Sequence, residues 1–164
     1  DHKRYHGVRL TEGGLKIALE IIRHHRLVEL YLTEALGVPW DKVHAEAEKW
    51  EHVLSEDLED RMDAILGHPT EDPHGAPIPD RSGQIIRCER FPLGELDPGK
   101  TATVVEVMDQ DPELLRYLSE LGLVLRTKVT LVKVEPFDGP LMILIDDIEH
   151  GIGRKAASQI LVAV

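Results

Sequence analysis

The stretch His44-Ala45-Glu46-Ala47-Glu48-Lys49-Trp50-Glu51-His52 decides how this chain is read. On a helix turning about 100° per residue, His44, Glu48, Glu51 and His52 fall within one arc of about 100°. Two imidazoles and two carboxylates then share a face. Such a face is costly unless a positive group sits among its side chains. A divalent cation is the simplest such group, because neutral imidazole and carboxylate both bind metal near neutral pH. The competing reading is a solvated charged face with two incidental histidines. A second pair weighs against it. His25 and Glu29 stand at i and i+4, on one face of a preceding helix. Alone they would be a surface pair worth roughly 0.2–0.5 kcal/mol. Two helices that each offer His and Glu can instead close around metal between them, as helical bundles do. His24 would sit about 140° away from Glu29 and stands outside this set, with no partner at helical spacing. Six donors are too many for one tetrahedral ion, so two neighbouring sites are expected, bridged by a carboxylate. No thiolate lies among them, and the set suits manganese, iron(II), cobalt, nickel or zinc.

The remaining composition narrows the class. The chain has 164 residues, enough for one ordinary domain or two small ones. Its 19 Lys and Arg face 30 Asp and Glu, a net charge of −11, so its overall field does not draw nucleic acid or anionic membrane. All but one of the nine histidines precede Gly75. The single cysteine, Cys88, excludes an internal disulfide framework and a cysteine-rich zinc site, and it reads as a small buried apolar group or a free thiol. A cytoplasmic location fits that usage. No apolar run approaches the roughly 20 residues that span a bilayer, and the polar, basic start Asp1-His2-Lys3-Arg4-Tyr5-His6 is no signal peptide. The start also lacks an initiator Met, which reads as a cut or processed chain.

The organisation is α+β. Gly7-Val8-Arg9-Leu10 reads as a short strand, and Thr11 as the cap of a long helix over residues 12–36 that stops at Gly37 and Pro39. A second helix is expected over 41–53, with Val43, Ala47, Trp50 and Val53 on its apolar side. A third runs from the cap Ser55 through Leu66 to Gly67, with Leu58, Met62, Ile65 and Leu66 as its stripe. Trp40 and Trp50 are expected in the helical core or a dimer seam. Residues 68–83 hold too many Pro and Gly for a helix or central strand. Beyond them, residues 101–107, 128–134, 141–145 and 160–164 are β-branched runs bounded by turn residues. One short helix over 112–121, capped by Asp111, interrupts them. Several short strands around one helix describe a small β-barrel.

Taken in order, these motifs resemble the diphtheria-toxin-repressor family of metal-dependent transcription regulators. The resemblance rests on Gly7-Val8-Arg9-Leu10-Thr11-Glu12-Gly13-Gly14, His25-Arg26-Leu27-Val28-Glu29, residues 43–55, and Pro73-His74-Gly75-Ala76-Pro77-Ile78-Pro79. It covers essentially the whole chain. It implies residues 1–11 as the wing remnant of a winged helix-turn-helix whose other helices are not in this sequence. It further implies a helical metal-binding and dimerisation domain over 12–67, a Pro-rich linker over 68–89, and an SH3-like barrel of the FeoA type over 90–164. It places Glu48, Glu51 and His52 in the primary, activating site, and His25, Glu29 and His44 in the ancillary site. In iron-responsive members the position of Glu48 is commonly cysteine, and in manganese-responsive members it is glutamate. The resemblance therefore implies Mn2+, with Fe2+ as the alternative and Zn2+, Co2+ or Cd2+ as substitutes. Asp111 and Glu113 are the candidate barrel ligands, although their spacing matches poorly and Asp111 is better explained as a helix cap. Lys3, Arg4 and Arg9 are candidate contacts to DNA phosphates, or simply a solubilising basic terminus. The implied partners are a second copy of the chain, as a homodimer, and operator DNA.

Two other classes compete. A helical di-metal carboxylate enzyme needs a Glu-x-x-His motif on each of two helices, and only residues 48–52 approach one. No nucleophile or phosphate loop accompanies it, so the chain is not expected to be an enzyme. A peptide-binding adaptor would use an aromatic groove, yet Phe, Trp and Tyr make up only 4% of the residues.

Overall fold

A computed structural model describes residues 9–86 and 88–164. The strand expected over residues 7–10 lies partly outside them, and Arg9 and Leu10 belong to no regular element. The described chain forms two compact units, each with its own apolar core.

The first unit is helical. Helix α1 spans Glu12–Leu36, α2 spans Val43–Trp50 and α3 spans Glu56–Ile65. The caps follow from side-chain chemistry. Thr11 Oγ1 accepts from Gly14 N at 3.1 Å, and the Ser55 side chain accepts from Leu58 N. Gly37, at φ 67°, turns the chain left-handed and ends α1. Val28 and Leu32 of α1 pack with Val43 and Ala47 of α2 and Met62 of α3. Regular α2 is shorter than the periodicity predicts, and residues 51–53 form turns. Trp50 and Val53, expected inward, are exposed, as are Leu58 and Ile65 of the expected α3 stripe. Leu15 and Ile22 on α1 are exposed as well, seven residues apart and thus on one face. Residues 77–86 also belong to this unit, which splits the Pro-rich stretch. There Asp80 Oδ1 accepts from Ser82 N and Gln84 N, each at 2.8 Å, closing a tight turn.

The second unit is the expected small β domain. Its strands are β1 (Phe91–Pro92), β2 (Thr101–Val107), β3 (Lys128–Val134), β4 (Leu141–Ile145), β5 (Ile148–Ile152) and β6 (Ile160–Ala163). They form one antiparallel sheet of order β1-β6-β2-β3-β4-β5. Helix α4 (Pro112–Glu120) is capped by Asp111, whose Oδ1 accepts from Glu113 N at 2.7 Å. A four-residue α5 (Arg154–Ala157) leads into β6. Alternation along β2 and β4 turns Ala102, Val104, Leu141, Ile143 and Ile145 to one face, where Leu115 and Leu118 of α4 close the core. Burying each such Leu or Ile contributes about 1.5–3 kcal/mol. Trp40 packs against this core, not the helical one, and donates from Nε1 to Ser119 Oγ at 2.9 Å. Cys88 is exposed, so it is a free thiol and not a buried apolar group.

Gly75 also belongs to this unit. Its φ is +84°, and a Cβ there would lie 2.0 Å from Val105 O. The side chain of His74 beside it donates from Nε2 to Trp40 O at 2.8 Å. Gly75→Ala should therefore destabilise the chain by about 2 kcal/mol or more, read as a lowered midpoint in denaturant unfolding. An unchanged midpoint would show that this backbone does not press on β2.

Candidate metal centre

Packing of α1 on α2 builds the centre. His25 and Glu29 flank buried Val28 on α1, and His44 follows buried Val43 on α2. His25 Nε2 lies 3.0 Å from Glu29 Oε1 and 3.0 Å from His44 Nδ1. His44 Nδ1 lies 3.2 Å from Glu29 Oε1, which closes a triangle. The Glu29 side chain is fully buried, His25 is 14% exposed and His44 42% exposed.

The other three expected ligands surround this triangle unevenly. His44 Nε2 is 3.6 Å from Glu48 Oε1, and Glu48 is largely exposed. The Glu51 carboxylate joins the two sets: Oε2 accepts from His25 Nδ1, and Oε1 lies 3.2 Å from His52 Nε2. His52 itself is mostly exposed. Asp111 serves as a cap in the β unit, and Glu113 gives its main-chain N–H to that cap. Arg9 is exposed, while Lys3 and Arg4 lie outside the described residues. His68, at a helix end, pairs with Asp63.

Helical spacing missed a polar network beside the centre. Arg23, His24 and Glu59 are each only 6% exposed. Arg23 Nε and His24 Nε2 donate to the two oxygens of Glu59. The signal in the sequence is weak: an Arg-His pair on α1 and a Glu on α3, far apart in the chain.

Burial opposes charge on the His25 ring, but hydrogen bonds and charge from Glu29 and Glu51 outweigh it and raise its pKa above 6.5. The triangle suits a dication as well as a proton. Each ring nitrogen carries one proton at most and the carboxylate none, so protons link the three atoms edge by edge. One cation links all three at once. Ligands at right angles about an ion with bonds of about 2.1 Å stand about 3.0 Å apart, and tetrahedral ones about 3.4 Å. The observed 3.0, 3.0 and 3.2 Å fit one face of a six-coordinate site.

A buried carboxylate flanked by histidines from two helices is a candidate metal cluster, and the helical unit that holds it and the β domain both have known relatives. Residues 11–80 match the family model described as iron dependent repressor, metal binding and dimerisation domain, and residues 91–164 match the FeoA domain. The iron-dependent repressor IdeR of Mycobacterium tuberculosis is 34% identical over 147 residues, 82% of this chain and 64% of that protein. A solved manganese-dependent transcriptional repressor in complex with manganese superposes with TM-score 0.91 at 38% identity, covering 98% of this chain and 76% of that one. ScaR solved with bound Cd2+ gives TM-score 0.82 at 29% identity, over 94% and 72% of the two chains. The chain belongs to the DtxR/IdeR family of metal-dependent repressors. These relatives are transcriptional repressors, not enzymes. The chain spans about 64% of the length of IdeR.

The raised pKa of His25 has a stability consequence in metal-free protein. A group held above its unfolded value stabilises fully below that value, and this is lost as pH rises through the folded one. The stability margin of the chain over His25→Gln should be largest below pH 6.5 and shrink above it, measured by denaturant unfolding in chelator. A margin that grows with pH would contradict this.

Proposed function

We propose that the chain is the sensing part of a transcriptional regulator of metal-ion homeostasis, with Mn2+ as its metal and Fe2+ as the alternative. The observation that carries the reading is Glu29: a fully buried carboxylate on α1 whose Oε1 meets two histidine nitrogens within 3.2 Å. In this reading His25, Glu29 and His44 hold one ion, and Glu48, Glu51 and His52 hold a second. Glu51 is suited to bridge them, because its two oxygens face His25 and His52. Glu48 supplies oxygen where a thiolate would favour softer ions, and hard oxygen donors favour Mn2+. Zn2+, Co2+ and Cd2+ are competent substitutes on the same chemistry, and a relative has been solved with Cd2+.

Occupancy acts by population shift. Metal that ties α2 to a preceding DNA-binding domain selects one spacing of two reading heads, provided it binds that arrangement more tightly. The reading heads are proposed to be winged helix-turn-helix domains, with residues 1–11 as the end of the wing. Two heads require a homodimer. Support comes from the dimerisation domain match and from Leu15, Ile22, Leu58 and Ile65, apolar side chains exposed on the single chain. A cytoplasmic setting follows from operator binding, and no helix of the described residues is long and apolar enough to cross a membrane.

In the full-length protein, Glu51→Ala or His52→Ala should weaken manganese-dependent operator binding at least tenfold at fixed Mn2+, with the helical circular dichroism unchanged. Operator affinity equal to that of the unsubstituted protein at the same Mn2+ would defeat the assignment. Sedimentation of the chain should give a dimer, and Leu15→Glu should shift it towards monomer.

A further inference from the structure

His24 stands one residue before the first ligand of the triangle, yet the triangle does not use it. Its buried ring lies between α3 and the turn after α2. Nε2 donates to Glu59 Oε2 at 3.1 Å, and Nδ1 lies 3.2 Å from the main-chain oxygen of Glu51. One ring thus stands within hydrogen-bond distance of a carboxylate on α3 and of a main-chain carbonyl past α2. Glu59 cannot drift, because its Oε1 is held by Arg23 Nε. Arg23 is fixed in turn by Pro79 O at 2.9 Å and by Asp63 at 3.2 Å.

The carbonyl that His24 grips belongs to a residue past the end of regular α2. The backbone there is no longer directed by a continuing helix, since residues 51–53 form turns. The same residue offers its carboxylate to His25 and His52. Glu51 is thus held twice from adjacent positions of α1, at its main chain by His24 and at its side chain by His25. A grip on the main chain fixes where the Glu51 and His52 side chains start. Ligand placement decides both how tightly a site binds and whether it favours six-coordinate or tetrahedral ions.

We propose that His24, backed by Glu59, is a positioning residue of the metal centre that sets its affinity and its preference among divalent cations by anchoring the Glu51–His52 turn. This rests on the metal reading above.

The test is titration of the metal-free full chain with Co2+, followed by visible absorption, with Mn2+ and Zn2+ affinities measured by competition. His24→Leu removes both polar contacts. Glu59→Gln keeps the volume and removes the charge that anchors the ring, and it serves should His24→Leu not fold. In both variants the Co2+ bands should shift, and the ratio of Mn2+ to Zn2+ affinity should change at least tenfold. His24→Gln, which keeps one donor, should fall between His24→Leu and the unsubstituted chain. If the variants only melt earlier, with the Co2+ bands and the affinity ratio unmoved, His24 is structural and the proposal is overturned. If the unsubstituted chain shows no Co2+ bands at all, the metal reading fails first.

Discussion

A carboxylate with no exposure to water has to be neutralised where it stands, and Glu29 is such a group. Leaving it alone in apolar surroundings would cost on the order of several kcal/mol. Packing of α1 against α2 places two imidazoles on it, and this one requirement organises the helical unit. Hydrogen bonds and charge from Glu29 and Glu51 outweigh burial and hold the His25 ring above its ordinary value, so a proton there is favoured. A dication at the same place would supply positive charge more completely. On the proposed reading, the proton and the ion would compete for one set of atoms.

The helical unit spends little of its apolar surface on its own interior. Its core is small, drawn from Val28, Leu32, Val43, Ala47 and Met62, while large apolar side chains on α1 and α3 face outward. A unit built this way leans on polar ties, and its outward apolar side chains are the surface that the proposed second copy would cover. The Arg23–Glu59–His24 network is one such tie, and it runs from α1 through α3 to the turn that bears Glu51. The β unit is built on the opposite plan. Its six strands and α4 enclose a continuous apolar core that includes Leu115, Leu131, Ile143 and Val162.

Much of this was legible in the sequence where the signal is local. Thr11, Ser55 and Asp111 cap helices as their side chains allow, and the β-branched runs of β2, β3, β4 and β6 are strands. Strand β5 was not legible. It is short and polar, and its hairpin turns on Asp146 and Asp147, both at positive φ, where glycine or asparagine is the usual sign. Periodicity also assigned a face to Trp50 and Val53 without saying what covers it, and in the single chain both are exposed. Trp40 belongs to the β core, although its place between two helices suggested the helical one. In the candidate centre, helical spacing paired His25 with Glu29 and His44 with Glu48, since each pair shares one helix. It could not reveal that His24 meets Glu59, because that pairing depends on how α3 returns to α1 across 35 residues.

The central claim is that a divalent ion sits among His25, Glu29 and His44. Anomalous diffraction from crystals of the chain grown with Mn2+, recorded on both sides of the manganese edge, tests it directly. The account predicts a peak bonded to His25 Nε2, Glu29 Oε1 and His44 Nδ1. A map at saturating Mn2+ with no peak there, and the two rings still in hydrogen-bond contact with Glu29, would contradict it.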